Sequence, residues 1–237
     1  SATNMHPNIA LIPARANSKE IPDKNIKPFH DHPLIYWTIK AALQSEIFEE
    51  VIVSTDSLSI AELAIKYGAS IPEIRPESLS TDEATILEVT LDLLEKHYQS
   101  ASEQTIVSLL QPTSPLRTPD DILKANEFMN QPATNAVVSV SVSPIHPQYL
   151  KKITPDGDLA FLDPQQTKVQ RRQEMDPVYF DNGSIYMINK ATLLETKSWF
   201  PPLTKPLIIP SSRSIDIDDH DDFNSAEKAF KRLKLFA

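Results

Sequence analysis

Residues 9–25 read IALIPARANSKEIPDKN, a short apolar run that passes directly into a polar loop. The run Ile9–Pro13 is typical of a buried strand, and the polar residues 15–27 are expected to form the loop after it. Val51–Thr55 and Thr105–Leu110 are similar apolar runs, and each is followed by a segment with helical spacing. This alternation of strand and helix predicts an α/β fold with a parallel sheet covered by helices on both faces.

The helices are predicted from their spacing and their end signals. Gly68 is a suitable C-terminal cap, and Thr118 followed by Pro119 is a suitable helix start. We expect helices over residues 33–43, 56–67, 82–98 and 118–129, and from about Asp222 to the C-terminus.

The second half of the chain has a different pattern. Residues 136–143 and 184–188 alternate between apolar and polar with period two, and the stretch between them is polar and rich in proline. Such a stretch does not fit into a doubly wound sheet. We therefore expect a single domain over residues 1–237, with residues of about 140–180 extending from it toward substrate or a partner subunit.

Composition excludes several classes of function. The 237 residues carry 23 Lys+Arg against 32 Asp+Glu, a net charge of −9, which argues against a nucleic-acid partner. The absence of cysteine excludes thiolate zinc sites and cysteine nucleophiles. The three glycines cannot form the common glycine-rich nucleotide motifs. No apolar run approaches the roughly 18 residues of a membrane span, so we expect no membrane partner and a cytoplasmic protein.

The loop after the first strand is the first candidate site. Arg15, Lys19 and Lys24 are spaced so that a curled loop brings them together on one polyanion. In open α/β sheets, ligands bind outside the carboxyl ends of the strands, where this loop begins. A solvated connection with unrelated charges is the alternative. The position of the loop and its basic residues in an acidic chain favour phosphate binding.

Residues 214–218, with the sequence SIDID, are the second candidate site. In an extended strand, Asp216 and Asp218 share one face while Ile215 and Ile217 enter the core. Two carboxylates with this spacing suit Mg²⁺, which binds one or two carboxylates together with substrate phosphates. The aspartates from Asp219 onward are instead expected to form an acidic helix start.

Five ordered segments resemble the acylneuraminate cytidylyltransferases, also called CMP-sialic acid or CMP-nonulosonate synthetases. The resemblance covers nearly the whole chain. The segments are ARANSKEIPDKN (14–25), IRP with Leu79 and Asp82 (74–82), LQPTSPLR (110–117), NGSIY (182–186) and SIDID (214–218).

The resemblance implies a three-layer Rossmann-like nucleotide-diphospho-sugar transferase fold, a homodimer and a defined reaction. CTP and a nine-carbon 2-keto sugar acid, of N-acetylneuraminic or legionaminic type, give a CMP-sugar and pyrophosphate with the help of Mg²⁺. Arg15, Lys19, Asp216 and Asp218 are the implied catalytic residues, and both aspartates hold the metal. The implied nucleotide contacts are Arg15, Ser18, Lys19, Lys24, Asn25, Arg75, Asp82 and Ala84. The implied sugar contacts are Gln111, Lys151, Arg172, Asn182, Tyr186, Trp199 and Phe200.

Three positions depart from the family pattern. Phe180 stands where sialic acid enzymes commonly carry arginine, which leaves room for a legionaminic-type acid. Glu20 puts a carboxylate beside the predicted triphosphate site, and Ile86 replaces a small polar residue. Two alternatives stay open: the same chemistry on Kdo or pseudaminic acid, and a catalytically silent nucleotide-binding module.

Overall fold

The computed structural model describes residues 6–236, which form a six-stranded sheet with helices on both faces. The strands are β1 (Asn8–Pro13), β2 (Pro28–Phe29), β3 (His32–Pro33), β4 (Glu50–Ser54), β5 (Ile106–Leu109), β6 (Ala136–Val142), β7 (Lys151–Ile153), β8 (Leu159–Phe161), β9 (Tyr179–Asn189) and β10 (Thr204–Ile208). The α-helices are α1 (Leu34–Ser45), α2 (Leu58–Lys66), α3 (Ile86–His97), α4 (Pro119–Met129), α5 (Lys190–Thr196) and α6 (His220–Arg232).

The main sheet is mostly parallel, as predicted. Its strand order is β10-β6-β9-β5-β1-β4, and β9 alone runs antiparallel to both of its neighbours. Side chains of β1 alternate between the two faces. Ala10 and Ile12 pack with α1, α2 and α4, whereas Ile9 and Leu11 pack with α3 and α5. These layers confirm the predicted three-layer α/β architecture.

Three local predictions are wrong. Helix α3 begins at Ile86 rather than Asp82, because Thr85 caps it in a reciprocal pair of hydrogen bonds with Glu88. Helix α6 begins at His220 rather than at about Asp222, because Asp219 makes the same kind of cap with Asp222; the acidic helix start predicted from Asp219 onward is confirmed. Residues 214–218 form no strand, although Ile217 is buried between the exposed Asp216 and Asp218.

The proline-rich stretch lies outside the main sheet. Strands β7 and β8 pair only with each other among the described residues, and β6 and β9 connect this hairpin to the domain. The hairpin exposes large apolar side chains, with Ile153 77% and Leu159 71% accessible. Within residues 6–236, no helix combines the length and apolar character needed to cross a bilayer.

Candidate functional site

A cleft of about 440 Å³ opens at the carboxyl ends of β1 and β5. Ligands of open α/β sheets bind at this edge. All eight of the predicted nucleotide contacts line this cleft. Its lining is Pro13, Arg15, Asn17, Ser18, Lys19, Glu20, Lys24, Asn25, Arg75, Thr81, Asp82, Ala84, Ile86, Val89, Gln111, Pro112, Thr113 and Asp218.

The loop after β1 is held in a curled conformation by its own polar groups and by β4. The Ala16 N–H donates to Asp56 Oδ1 at 2.8 Å, and Asn25 Nδ2 donates to the Arg15 carbonyl oxygen at 3.1 Å. The Ile21 N–H donates to Ser18 Oγ at 3.4 Å, and the Ile21 side chain is buried. The loop therefore presents its basic side chains to the cleft from a folded backbone.

Arg75 also lines the cleft, and hydrogen bonds to Ser54 hold its guanidinium in place. Its Nε donates to Ser54 Oγ at 3.0 Å and its Nη2 to the Ser54 carbonyl oxygen at 2.8 Å. Burial lowers the pKa of Arg75, the Asp56 charge opposes that shift, and the Arg15 charge adds to it. The guanidinium is thus fixed to the end of β4 beside the loop cations.

Asp82 bridges two of the loop cations. Its Oδ1 accepts from Arg15 Nη1 at 2.7 Å, and its Oδ2 lies 3.4 Å from Lys19 Nζ. Partial loss of hydration raises the pKa of Asp82, but the hydrogen bonds and charges of Lys19 and Arg15 outweigh it, so the pKa is lowered overall. Asp82 therefore carries its negative charge among the cations that were predicted to hold a triphosphate.

The two aspartates of SIDID border the same region. Asp218 lines the cleft, and its backbone N–H donates to Asp222 Oδ2 at 2.9 Å. The intervening Ile217 is anchored at both backbone groups: its N–H donates to the Thr113 carbonyl oxygen at 2.9 Å, and its own carbonyl oxygen accepts from Lys24 Nζ at 3.4 Å.

Asp216 faces the backbone of β9. A Cβ on Gly183, which has a φ of +76°, would lie 3.3 Å from Asp216 Oδ2. A glycine is required there, since the conformation is left-handed and the carboxylate approaches closely. Loss of hydration is the main cause that raises the pKa of Asp216, although the residue stays partly exposed. The Asp218 charge also raises it, while Thr113 and Lys24 oppose the shift.

The paired carboxylates suit Mg²⁺. Asp216 and Asp218 repel each other, and a divalent cation between them relieves that repulsion. No group of three or more His, Asp or Glu side chains in residues 6–236 forms a complete metal cage. Two carboxylates without a cage match Mg²⁺, which completes its shell with water and substrate phosphates. The donor set therefore fits this metal.

Gln111 reaches β9, where its Nε2 donates to the Gly183 carbonyl oxygen at 3.3 Å. The fully buried Arg117 supports this contact from behind: it donates to the carbonyl oxygens of Gln111 at 2.7 Å and Ser184 at 2.8 Å, and to Thr38 Oγ1 at 3.2 Å. Burial lowers the pKa of Arg117 to about 9, partly opposed by the Asp121 charge. The sequence interpretation assigned no role to Arg117, although it ends the LQPTSPLR segment.

Most of the predicted sugar contacts lie outside the cleft lining. The Asn182 side chain is buried and hydrogen-bonded to Ser139, Ser141 and the Ser184 N–H, so it connects β9 with β6, and its contact with the sugar stays a prediction. Tyr186 lies near Asp216: burial raises its pKa, and the charges of Asp181 and Asp216 add to the effect.

The remaining four sugar predictions are dispersed over the neighbouring surface. Trp199 packs against Tyr186, with ring centroids 6.2 Å apart. Lys151 Nζ donates to the Gln148 carbonyl oxygen at 3.2 Å, and it lies on the hairpin. Arg172 and Phe200 are exposed. The contact of these four residues with the sugar therefore stays a prediction.

Comparisons with known proteins identify close relatives. The family model described as "Cytidylyltransferase" matches residues 9–209. CMP-N,N'-diacetyllegionaminic acid synthase of Legionella pneumophila is 41% identical over 227 residues, covering 93% of this chain and 94% of that protein. An N-acylneuraminate cytidylyltransferase of Escherichia coli O18:K1:H7 is 38% identical over 92% of this chain. This chain spans only about half of that relative, 51% of its length.

Solved structures share the fold at low sequence identity. A structure described as CMP:2-keto-3-deoxy-manno-octonic acid synthetase complexed with CTP superposes with a TM-score of 0.70. It is 16% identical, and the match covers 96% of this chain and 99% of that one. The likeness shows a shared fold.

Proposed function

Because this chain belongs to the cytidylyltransferase family, we propose that it couples CTP to a nine-carbon 2-keto sugar acid, giving a CMP-sugar and pyrophosphate. The anomeric hydroxyl of the sugar acid forms a bond to the α-phosphorus of CTP as the bond to the leaving pyrophosphate breaks. One observation carries this proposal: a single cleft collects Arg15, Lys19, Lys24 and Arg75 opposite the carboxylate of Asp218.

The chain's own residues account for binding and orientation in this reaction. Arg15, Lys19 and Lys24 bind phosphate oxygens and stabilise the negative charge that develops on pyrophosphate as it leaves. Arg75, fixed to the end of β4, adds a positive charge that is already in place before the nucleotide binds. Gln111, supported by Arg117 and Gly183, is suited to orient the sugar acid beside the α-phosphate.

Mg²⁺ is part of the proposal, with Asp216 and Asp218 as its protein ligands. When bound, the metal supplies positive charge to the phosphate oxygens and lowers the pKa of an attacking hydroxyl. The mutual repulsion of the two carboxylates supports this assignment.

Among the sugar acids, we propose a legionaminic-type acid as the physiological acceptor. Two observations support it: the 41% identical relative carries that activity in its name, and the exposed Phe180 replaces the arginine common in sialic acid enzymes. The ring of Phe180 offers no hydrogen bond to a hydroxyl group of the acceptor. A hydroxyl group packed against the ring would lose its bound water without gaining a partner, so the ring favours an acceptor with fewer hydroxyl groups.

We also propose a homodimer formed through the β7–β8 hairpin. Ile153 and Leu159 project large apolar surfaces from it, and such patches on a small domain typically mark an interface. A second copy of the chain is the proposed occupant because the hairpin extends from the edge of the domain that holds the substrate site. We propose a cytoplasmic location, where CTP is available.

A panel of acceptors with CTP tests this function. N,N'-diacetyllegionaminic acid, N-acetylneuraminic acid, pseudaminic acid and Kdo are compared by pyrophosphate release at equal concentrations. The legionaminic-type acid is expected to give the highest kcat/KM. Asp218→Asn should reduce kcat at least about tenfold with the fold retained, because it removes a charged metal ligand. Release of no pyrophosphate with any acceptor, with CTP bound in calorimetry, would favour the silent module.

A further inference from the structure

The contact between Asp82 and the loop cations has the geometry of a bound anion. One carboxylate oxygen lies 2.7 Å from Arg15 Nη1 and the other 3.4 Å from Lys19 Nζ. Phosphate oxygens bind arginine and lysine at these distances. Both cations line the cleft, and both are assigned above to the triphosphate.

The same contact conflicts with simultaneous nucleotide binding. The cleft contains four cationic side chains, of Arg15, Lys19, Lys24 and Arg75, against the carboxylates of Glu20, Asp82 and Asp218. A triphosphate brings several negative charges into this space. The carboxylate of Asp82 then lies at the position where a phosphate group needs the same two donors.

We propose that the Asp82 carboxylate occupies a phosphate subsite and is displaced when a polyphosphate binds. Asp82 contacts both Arg15 and Lys19, and it competes with a polyphosphate for both of them. This inference rests on the proposed function, and it gives Asp82 a different role from the direct nucleotide contact that the family resemblance implies.

The surrounding backbone allows this displacement. Asp82 lies in a short turn, closed by the Ala84 N–H to the Thr81 carbonyl oxygen at 3.3 Å. The turn is anchored at both ends, by Ser80 Oγ on the Pro76 carbonyl oxygen and by the Thr85 cap of α3. The Asp82 side chain itself is 49% exposed, so it can rotate into water without unfolding either anchor.

The test is pyrophosphate binding measured by calorimetry on Asp82→Asn, Glu83→Gln and the wild-type chain. Pyrophosphate has two linked phosphate groups, as in the triphosphate of CTP, but no ribose or base. Glu83→Gln is the matched control, because it removes the same charge from the same loop. Glu83 is adjacent to Asp82 and exposed, and it does not line the cleft. Asp82→Asn is expected to bind pyrophosphate about two- to fivefold more tightly than Glu83→Gln, the range set by the strength of exposed ion pairs.

CTP and CMP separate this role from a nucleoside contact. Asp82→Asn should tighten CTP in the same proportion as pyrophosphate and have a smaller effect on CMP, which lacks the β- and γ-phosphates. If Asp82→Asn instead weakens CTP and CMP and leaves pyrophosphate unchanged, Asp82 contacts the nucleoside and the proposal is wrong.

Failure of the proposed function has a different result. If the wild-type protein binds pyrophosphate but not CTP, the proposed function is wrong. The comparison of Asp82→Asn with Glu83→Gln still decides whether Asp82 occupies a phosphate subsite. Equal pyrophosphate affinities in these two variants would overturn the role of Asp82 alone.

Discussion

Replacement of Arg117 by methionine tests whether a buried guanidinium holds the sugar side of the cleft together. Methionine has a comparable length and no donor, so the carbonyl oxygens of Gln111 and Ser184 lose partners at 2.7 and 2.8 Å. A hydrogen bond to a charged group contributes about 1.5–3 kcal/mol, which gives about 3–6 kcal/mol for two. The Gln111 carbonyl oxygen still accepts from the Ser114 N–H at 3.2 Å, so it is not left without a partner. Burial lowers the pKa of Arg117 to about 9, which means that the charge is itself costly, so we expect a loss at the lower end of this range, about 3 kcal/mol.

The stability loss is measured by thermal unfolding. For a chain of this length, 1 kcal/mol corresponds to a shift in Tm of roughly 2–4 °C, so the variant should melt roughly 6–12 °C below the wild type. The KM for the sugar acid should rise more than the KM for CTP, because Gln111, held by Gly183, is the residue proposed to orient the sugar acid, while the loop cations stay in place.

Lys190→Met is the matched control for this experiment. Lys190 is also buried, and its Nζ donates to the carbonyl oxygens of Tyr98, Gln99 and Ala101 at the end of α3, away from the cleft. It should lose a similar amount of stability without a change in either KM. A Tm for Arg117→Met within about 2 °C of the wild type, or equal KM changes in both variants, would refute the reasoning.

Three further variants test the metal pair, the acceptor and the dimer. With EDTA present, Asp216→Asn should be more stable relative to the wild type at about pH 7 than at about pH 4, in thermal scans. The raised folded-state pKa, caused mainly by loss of hydration, makes ionisation of Asp216 increasingly destabilising as pH rises through that pKa; a pH-independent difference would contradict the raised pKa. Phe180→Arg should shift the kcat/KM ratio toward N-acetylneuraminic acid, and an unchanged ratio would remove Phe180 from acceptor choice. Ile153→Glu should convert the dimer to a monomer in light scattering, and a dimer of unchanged affinity would exclude the hairpin as its interface.

The sequence predicted the sheet edge that holds the site because that prediction needs only local patterns. Apolar runs followed by helical spacing indicate parallel strands, and parallel strands gather their carboxyl ends. It could not predict that β9 inserts antiparallel between β5 and β6. Strand order depends on pairing between residues distant in sequence, and the period-two pattern of β9 is the same for either orientation.

Residues that act by supporting others were the ones missed. Arg117 is charged and fully buried, and charged side chains are rarely buried, so a sequence pattern gives no reason to place it inside. Asp56 is only partly buried, and its support of the loop depends on a contact between residues distant in sequence. The start of α3 is predictable from the sequence, because Thr85 and Glu88 have the spacing of a capping box. The predicted start at Asp82 is therefore an avoidable error. That error mattered for function, since it placed Asp82 in a helix instead of the turn beside Arg15.

The SIDID segment indicates why the family motifs are interdependent. The alternation predicted that Ile215 and Ile217 both enter the core. Ile217 is buried between two exposed aspartates, Ile215 is only partly buried, and no strand supports the segment. Its position depends instead on Thr113, from the LQPTSPLR segment, and on Lys24, from the loop after β1. Two loops that were predicted to bind nucleotide and sugar therefore also fix the carboxylates predicted to bind the metal. Substitution of Lys24 is consequently expected to disturb the metal pair as well as the triphosphate.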